Sequence, residues 1–153
     1  MNLKPLLPGH ILVSPHRVLP RLSDLTPNEI ADLFQTVARI QKTLTRLYSA
    51  EAFNVAVQDG EAAGQSVPHV HVHVIPRRGG DKGGGDKVHE WLEGEEGDVG
   101  AHQREGVVGG ERKVGEWVKD EDRKARGMEE MEAEAKWLRE EMERDARDEE
   151  GKL

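Results

Sequence analysis

The chain has 153 residues, 35% hydrophobic and 34% charged, with a formal net charge of −8, which is enough for one domain with a small core. It contains no cysteine, which excludes disulfides, thiolate metal sites and cysteine nucleophiles. No apolar run approaches the ~20 residues needed to cross a bilayer, and the negative charge argues against a nucleic-acid backbone as partner.

The amino terminus, "MNLKPLLPGH", lacks the apolar core and cleavage site of a secretory signal. A cytoplasmic protein with access to the nucleus is the expectation, with neither membrane nor nucleic acid as partner. Gly9 to Pro15, "GHILVSP", is a short apolar run between Gly and Pro and predicts a strand. "LSDLTPNEIADLFQTVARIQKTLTRLY" follows. Thr26 suits an N-cap, Pro27 the first helical position, and Glu29 completes a capping box. Ile30, Leu33, Phe34, Val37, Leu44, Leu47 and Tyr48 recur at helical spacing. Phe53 to Gln58, "FNVAVQ", alternates as a strand, "DGEAAGQS" is a loop, and "HVHVHVI" is a second strand. The order predicts an α+β fold, an antiparallel sheet with a long helix on one face.

Residues 1–78 hold 6 acidic and 8 basic residues against 24 and 14 in the remainder, so the excess charge lies in the second part. Residues 79–127 are rich in glycine and charge and predict a flexible loop region, with a helical turn or two at "HEWLEG". The glycines fail as a P-loop because no Gly-Lys-Ser/Thr ends the run. After Gly127 a charged helix is expected over 128–150, in the same domain as the core at 1–78. Its narrow seam of Met128, Met131, Ala135, Leu138 and Met142 suits docking on its own domain, being too short for a coiled coil.

"PHVHVHVIPRR", residues 68–78, carries three of the seven histidines. On a strand His69, His71 and His73 share one face and Val70, Val72 and Val74 the other. The valines are the core face, so the histidine face must be a polar surface or a site. The outer histidines lie roughly 13 Å apart along an extended strand, too far to share a zinc that wants nitrogens at about 2.0–2.1 Å. A two-histidine metal site using His69 and His71 with a remote carboxylate stays open, as does a merely decorated strand. The remaining option is nucleophilic catalysis. An imidazole nitrogen can attack phosphorus when its other nitrogen is held by an acceptor. The central His71 would then attack while its neighbours donate to oxygens of the same phosphate, a spacing suited to a polyphosphate.

"GQSVPHVHVHVIPR", with the upstream "PGHILVSP", resembles the signature of the histidine triad (HIT) superfamily, His-φ-His-φ-His-φ-φ with φ apolar. The segments "LPGHILVSPHR", "DLTPNEIADLFQTVARIQ", "VQDGEAAGQSVPHVHVHVIPRR" and "EEMEAEAKWLREEM" look most like its fragile-histidine-triad branch, the bis(5′-adenosyl)-triphosphatases, in a fungal-like version. The resemblance implies a homodimeric α+β HIT-like fold. It implies hydrolysis of dinucleoside polyphosphates, diadenosine triphosphate going to AMP and ADP through an adenylyl-histidine. By position, His71 matches the nucleophile, His73 a residue touching the reacting phosphate, and His69 and His10 supporting histidines. Gln58 matches a catalytic and substrate-binding glutamine near the leaving oxygen. Gly64, Gln65, Ser66 and Val67 match a phosphate-holding loop, and Asn2 a ribose contact. No tightly bound cofactor or protein-held metal is implied, and a divalent cation, Mg or Mn, would come with the substrate.

The family pattern has further residues before the position of Asn2, so an N-terminally truncated member with a weakened adenosine pocket is expected. That favours, as an alternative to the enzyme, a nucleotide-binding signalling module with weak turnover; a metal-binding protein using His69 and His71 is a lesser alternative. His89 falls where animal relatives have a regulatory tyrosine, so no phosphotyrosine switch is expected there. His16, His89 and His102 read as surface residues. Arg77 and Arg78 can be read as steering an anionic substrate or as an ordinary pair at a strand end.

Overall fold

The computed structural model describes residue 2, residues 5–94 and residues 127–151. Three strands, β1 (Ile11–Val13), β2 (Ala52–Val57) and β3 (Val72–Arg77), form one antiparallel sheet with β3 in the centre. The α-helices among the described residues are α1 (Pro27–Tyr48), which packs on the sheet, α2 (Lys87–Glu93) and α3 (Met128–Glu150). No described helix is long and apolar enough to cross a membrane.

The start of α1 follows from its sequence. Thr26 Oγ1 accepts the Glu29 N–H at 3.3 Å, and Glu29 Oε2 accepts the Thr26 N–H at 2.8 Å. The predicted capping box is therefore present, with Pro27 at the first helical position. Arg17 grips the same Glu29 carboxylate through Nε at 2.9 Å and Nη2 at 2.7 Å. This pair, with the Thr26 donors, holds Glu29 at about 2. The helix ends where Ser49 turns left-handed at φ 51°. Leu33, Val37, Ile40 and Leu44 line its buried side.

The pairing Leu12↔His73↔Ala56 and Val13↔Val72↔Val57 splits the sheet into two faces. Val72 and Val74 are wholly buried and join Ile11, Val13 and the α1 stripe in the main core. The valine face is thus the core face, as expected. Of the two readings of the histidine face, polar surface or site, the burial of His71 and His73 removes the open surface. A second apolar cluster closes this side, built from Leu6 and Leu7, Ile75 of β3, and Val88 and Leu92 of α2. Gly9 makes the tight entry into β1 at φ +77°, and a Cβ there would come within 3.0 Å of Pro76 and Tyr48.

The helix expected at 128–150 is α3, and it docks on α1. Leu138 reaches the main core and Met142 packs beside it, while Met128 is exposed. Much of the docking is ionic. Arg46 donates to Glu141 Oε2 at 2.7 Å and to Asp145 Oδ1 at 2.9 Å, and Thr43 Oγ1 donates to Asp145 Oδ2 at 2.6 Å. Lys42 meets Glu149 at 2.9 Å. Within 79–127, the turn at "HEWLEG" is helix α2 and Gly83 is buried. Residues 95–126, the rest of the expected loop region, lie outside the described residues.

Candidate active site

The ladder of β3 begins at Val72, not at His69 as the alternation suggested. The preceding backbone bonds elsewhere: His69 N–H to the Val67 carbonyl at 2.7 Å, and Val70 N–H to the Leu19 carbonyl at 2.8 Å. His69 is half-buried, and its ring Nε2 lies 3.0 Å from the Pro15 carbonyl. A carbonyl only accepts, so His69 Nε2 carries hydrogen. His69 acts here as a strut between two loops.

His71 is buried, and its Nδ1 lies 2.8 Å from the His69 carbonyl oxygen. The same argument places hydrogen on Nδ1, so the nitrogen that can present a lone pair is Nε2. The main chain of one histidine thus sets the tautomer of the next. His73 stands beside it, ring centroids 5.1 Å apart and nearly edge-on. It is fully buried, with Nδ1 3.0 Å from His10 Nε2. Its Nε2 is buried without a hydrogen-bond partner among the described residues. Burial, and secondly the neighbouring His71, push His73 down to about 4, so it is neutral at pH 7.

His10, fully buried, accepts the Leu6 N–H on Nδ1 at 3.1 Å. Asn2 is also buried, with Nδ2 3.1 Å from His10 Nδ1 and 3.2 Å from His10 Nε2. The structure therefore brings Asn2, His10, His71 and His73 together.

Gln58 lies one step beyond the β2–β3 ladder, opposite His71 in the register, so it shares the histidine face. Its Nε2 donates to the Leu92 carbonyl of α2 at 2.8 Å. One amide hydrogen thus holds the helix over this face, and a second remains on Nε2. Gly64 takes φ +83°, and a Cβ there would sit 2.7 Å from Gln58 Nε2, so the loop passes against the glutamine only as glycine. Gln65 staples the loop, its Oε1 accepting the Gly60 N–H at 3.0 Å and its Nε2 donating to the Pro20 carbonyl at 2.8 Å. Ser66 and Val67 are half-buried in the turn leading to His69.

Arg77 is bound up in a clamp. It donates to both Asp81 oxygens at 2.8 and 2.9 Å, to Asn54 Oδ1 at 2.5 Å and to the Gly83 carbonyl at 2.6 Å. Arg77 holds Asp81 below the ordinary carboxylate range. These contacts replace the steering role considered for Arg77. His16 and His89 are exposed, and His102 is outside the described residues. Among the described residues no three His, Asp or Glu side chains converge as metal ligands. Among the partners that sequence reasoning missed are main-chain groups: the Leu6 N–H and the carbonyls of Pro15, His69 and Leu92. No side-chain pattern signals them.

The arrangement presents one imidazole able to offer a lone pair beside another with an unpartnered nitrogen, and among the described residues no carboxylate hydrogen-bonds either ring. Such a pair can attack an electrophile and hydrogen-bond its oxygens. A family model described as "HIT domain" matches residues 1–80. The chain is 47% identical over 146 residues to the bis(5′-nucleosyl)-tetraphosphatase [asymmetrical] of Schizosaccharomyces pombe, covering 91% of this chain and 80% of that one. It is 45% identical over 96 residues to the bifunctional bis(5′-adenosyl)-triphosphatase/adenylylsulfatase FHIT of Arabidopsis thaliana, covering 63% of this chain and 53% of that relative's length. Among solved structures, a Plasmodium falciparum diadenosine triphosphate hydrolase in complex with cyclomarin A aligns at a TM-score of 0.52 and 35% identity, over 69% of each chain.

Proposed function

The chain belongs to the HIT domain family, and from that premise we propose that it hydrolyses dinucleoside polyphosphates, diadenosine triphosphate to AMP and ADP. The observation that carries this reading is the bare Nε2 of His71, fixed by the His69 carbonyl, beside the buried unpartnered Nε2 of His73. His71 Nε2 attacks the α-phosphorus; an N–P bond forms, the bridging P–O bond breaks, and ADP leaves. Water then attacks the adenylyl-His71, releasing AMP and a proton and restoring the imidazole. His73 donates to a non-bridging oxygen, and donors of this kind are worth about 10²–10³ in rate. The Gly64–Val67 loop lies on the approach to β3, and the second amide hydrogen of Gln58 is available for the leaving oxygen.

In this reading a divalent cation, Mg or Mn, arrives on the phosphate chain, since the histidines here serve as nucleophile, donor and strut. Assembly as a homodimer belongs to the same proposal. It is supported by β2, which ends the sheet with Val55 41% exposed, and by Phe34, 39% exposed on α1. The expected compartment is the cytoplasm, with access to the nucleus. The test is incubation with diadenosine triphosphate and tetraphosphate, products resolved by chromatography. Attack at the α-phosphorus gives AMP plus ADP from the first and AMP plus ATP from the second. Two ADP from the tetraphosphate, or no cleavage of either, would overturn the reading.

A further inference from the structure

The hydrogen bonds upstream of His73 have a direction that chemistry fixes. A main-chain N–H can only donate, so the contact from Leu6 N to His10 Nδ1 at 3.1 Å requires a lone pair on that nitrogen. His10 is then a neutral imidazole with its hydrogen on Nε2. That atom lies 3.0 Å from His73 Nδ1, so His10 donates and His73 Nδ1 accepts. His73 must therefore carry its own hydrogen on Nε2, the nitrogen buried without a partner among the described residues. The Asn2 amide nitrogen, 3.1 Å from His10 Nδ1 and 3.2 Å from Nε2, is also only a donor, so it shares the Nδ1 lone pair with the Leu6 N–H.

We infer that the Leu6 main chain and His10 form a one-way hydrogen-bond relay that holds His73 as an Nε2–H donor, and that His10 is a positioning residue acting by the polarity of its two nitrogens rather than by carrying a proton. The relay begins at an amide, which does not ionise near neutral pH. A carboxylate on His10 Nδ1 would stabilise a cationic ring; an N–H donor there disfavours one. The low proton affinity of buried His73 agrees with a neutral pair. His73 thus meets its ligand as a neutral donor of fixed direction, the form that suits an anionic oxygen. That the ligand is a phosphate rests on the function proposed above; the tautomers do not.

A carboxamide has the same two polarities, an oxygen to accept and an NH2 to donate, and cannot shuttle a proton at neutral pH. The experiment compares the full chain with His10→Gln and His10→Leu, reading imidazole 15N shifts at pH 7 together with diadenosine triphosphate hydrolysis. The wild type should show His73 protonated on Nε2 and bare on Nδ1. His10→Gln should keep that tautomer and turn over within about fivefold of wild type, whereas His10→Leu, which removes the donor to His73 Nδ1, should lose roughly 30- to 100-fold. A wild-type His73 with hydrogen on Nδ1, or cationic at pH 7, would overturn the relay. So would a folded His10→Gln that keeps the Nε2–H tautomer yet is as slow as His10→Leu, because His10 would then be moving a proton. Should the variants not fold, the wild-type spectrum decides alone. The predicted spectrum without any hydrolysis by the wild type would sink the proposed function and leave the relay standing.

Discussion

The two faces of β3 do separate jobs, and Val74→Ala tests that separation. Val74 is 0% exposed on the core face, pairing with Ile11 on one side and Val55 on the other. The change removes two methyl groups, about 0.8 kcal/mol each in transfer energy. The gap of roughly 50 Å³ adds about 1 kcal/mol at ~24 cal/mol per Å³. The total loss is about 2–3 kcal/mol, or ~5–10 °C in Tm for a chain of this size. The histidines lie on the opposite face, so kcat per folded molecule at a temperature well below Tm should stay within about threefold of wild type. Denaturant titration gives the stability, and initial rates corrected for the folded fraction give the activity. A Val74→Ala protein that keeps its stability, or one fully folded but more than tenfold slower, would refute the division of the strand.

The ionic docking of α3 should be acid-sensitive. Arg46, then Thr43, lowers the Asp145 carboxyl below its ordinary value, and a lowered carboxyl contributes stability present above its unfolded pKa and lost as pH falls through the folded one. Asp145→Asn should therefore lower Tm near pH 6, and the difference should shrink as pH falls below the ordinary carboxylate range; parallel Tm curves would contradict this. Arg77→Met should cost roughly 2 kcal/mol by stranding the Asp81 carboxylate, with KM and its salt dependence almost unchanged. A large rise in KM with stability intact would return Arg77 to substrate steering.

What the sequence could reveal was periodic or local. The start of α1 is written in Thr26 and Glu29, which bond to each other across Pro27 at the first helical position, and the valine face follows from alternation alone. Closure of the histidine face was hidden because it depends on Leu6, Leu7, Val88 and Leu92, which are remote in sequence from β3 and carry no period. The start of β3 was misjudged because His69 and Val70 alternate like strand residues but spend their backbone hydrogens on Val67 and Leu19. The seam of α3 hid the buried Glu134 and Glu141, whose side chains meet Tyr48 and Arg46 on α1. Such acidic residues read as solvated until their partner helix is known. Within the site, residue types and spacing pointed to His71 and His73. Their tautomers needed main-chain carbonyl and amide positions, which no side-chain pattern encodes.

The central claim is that His71 Nε2 is the nucleophile. Rapid quenching of the chain with diadenosine triphosphate, followed by peptide mass analysis under conditions that preserve N–P bonds, reads it directly. The account predicts one adenylyl group on the peptide containing His71, and on that residue. His71→Asn should show neither adduct nor turnover while still binding nucleotide. An adduct on another residue, or near-normal hydrolysis by a folded His71→Asn protein, would contradict it.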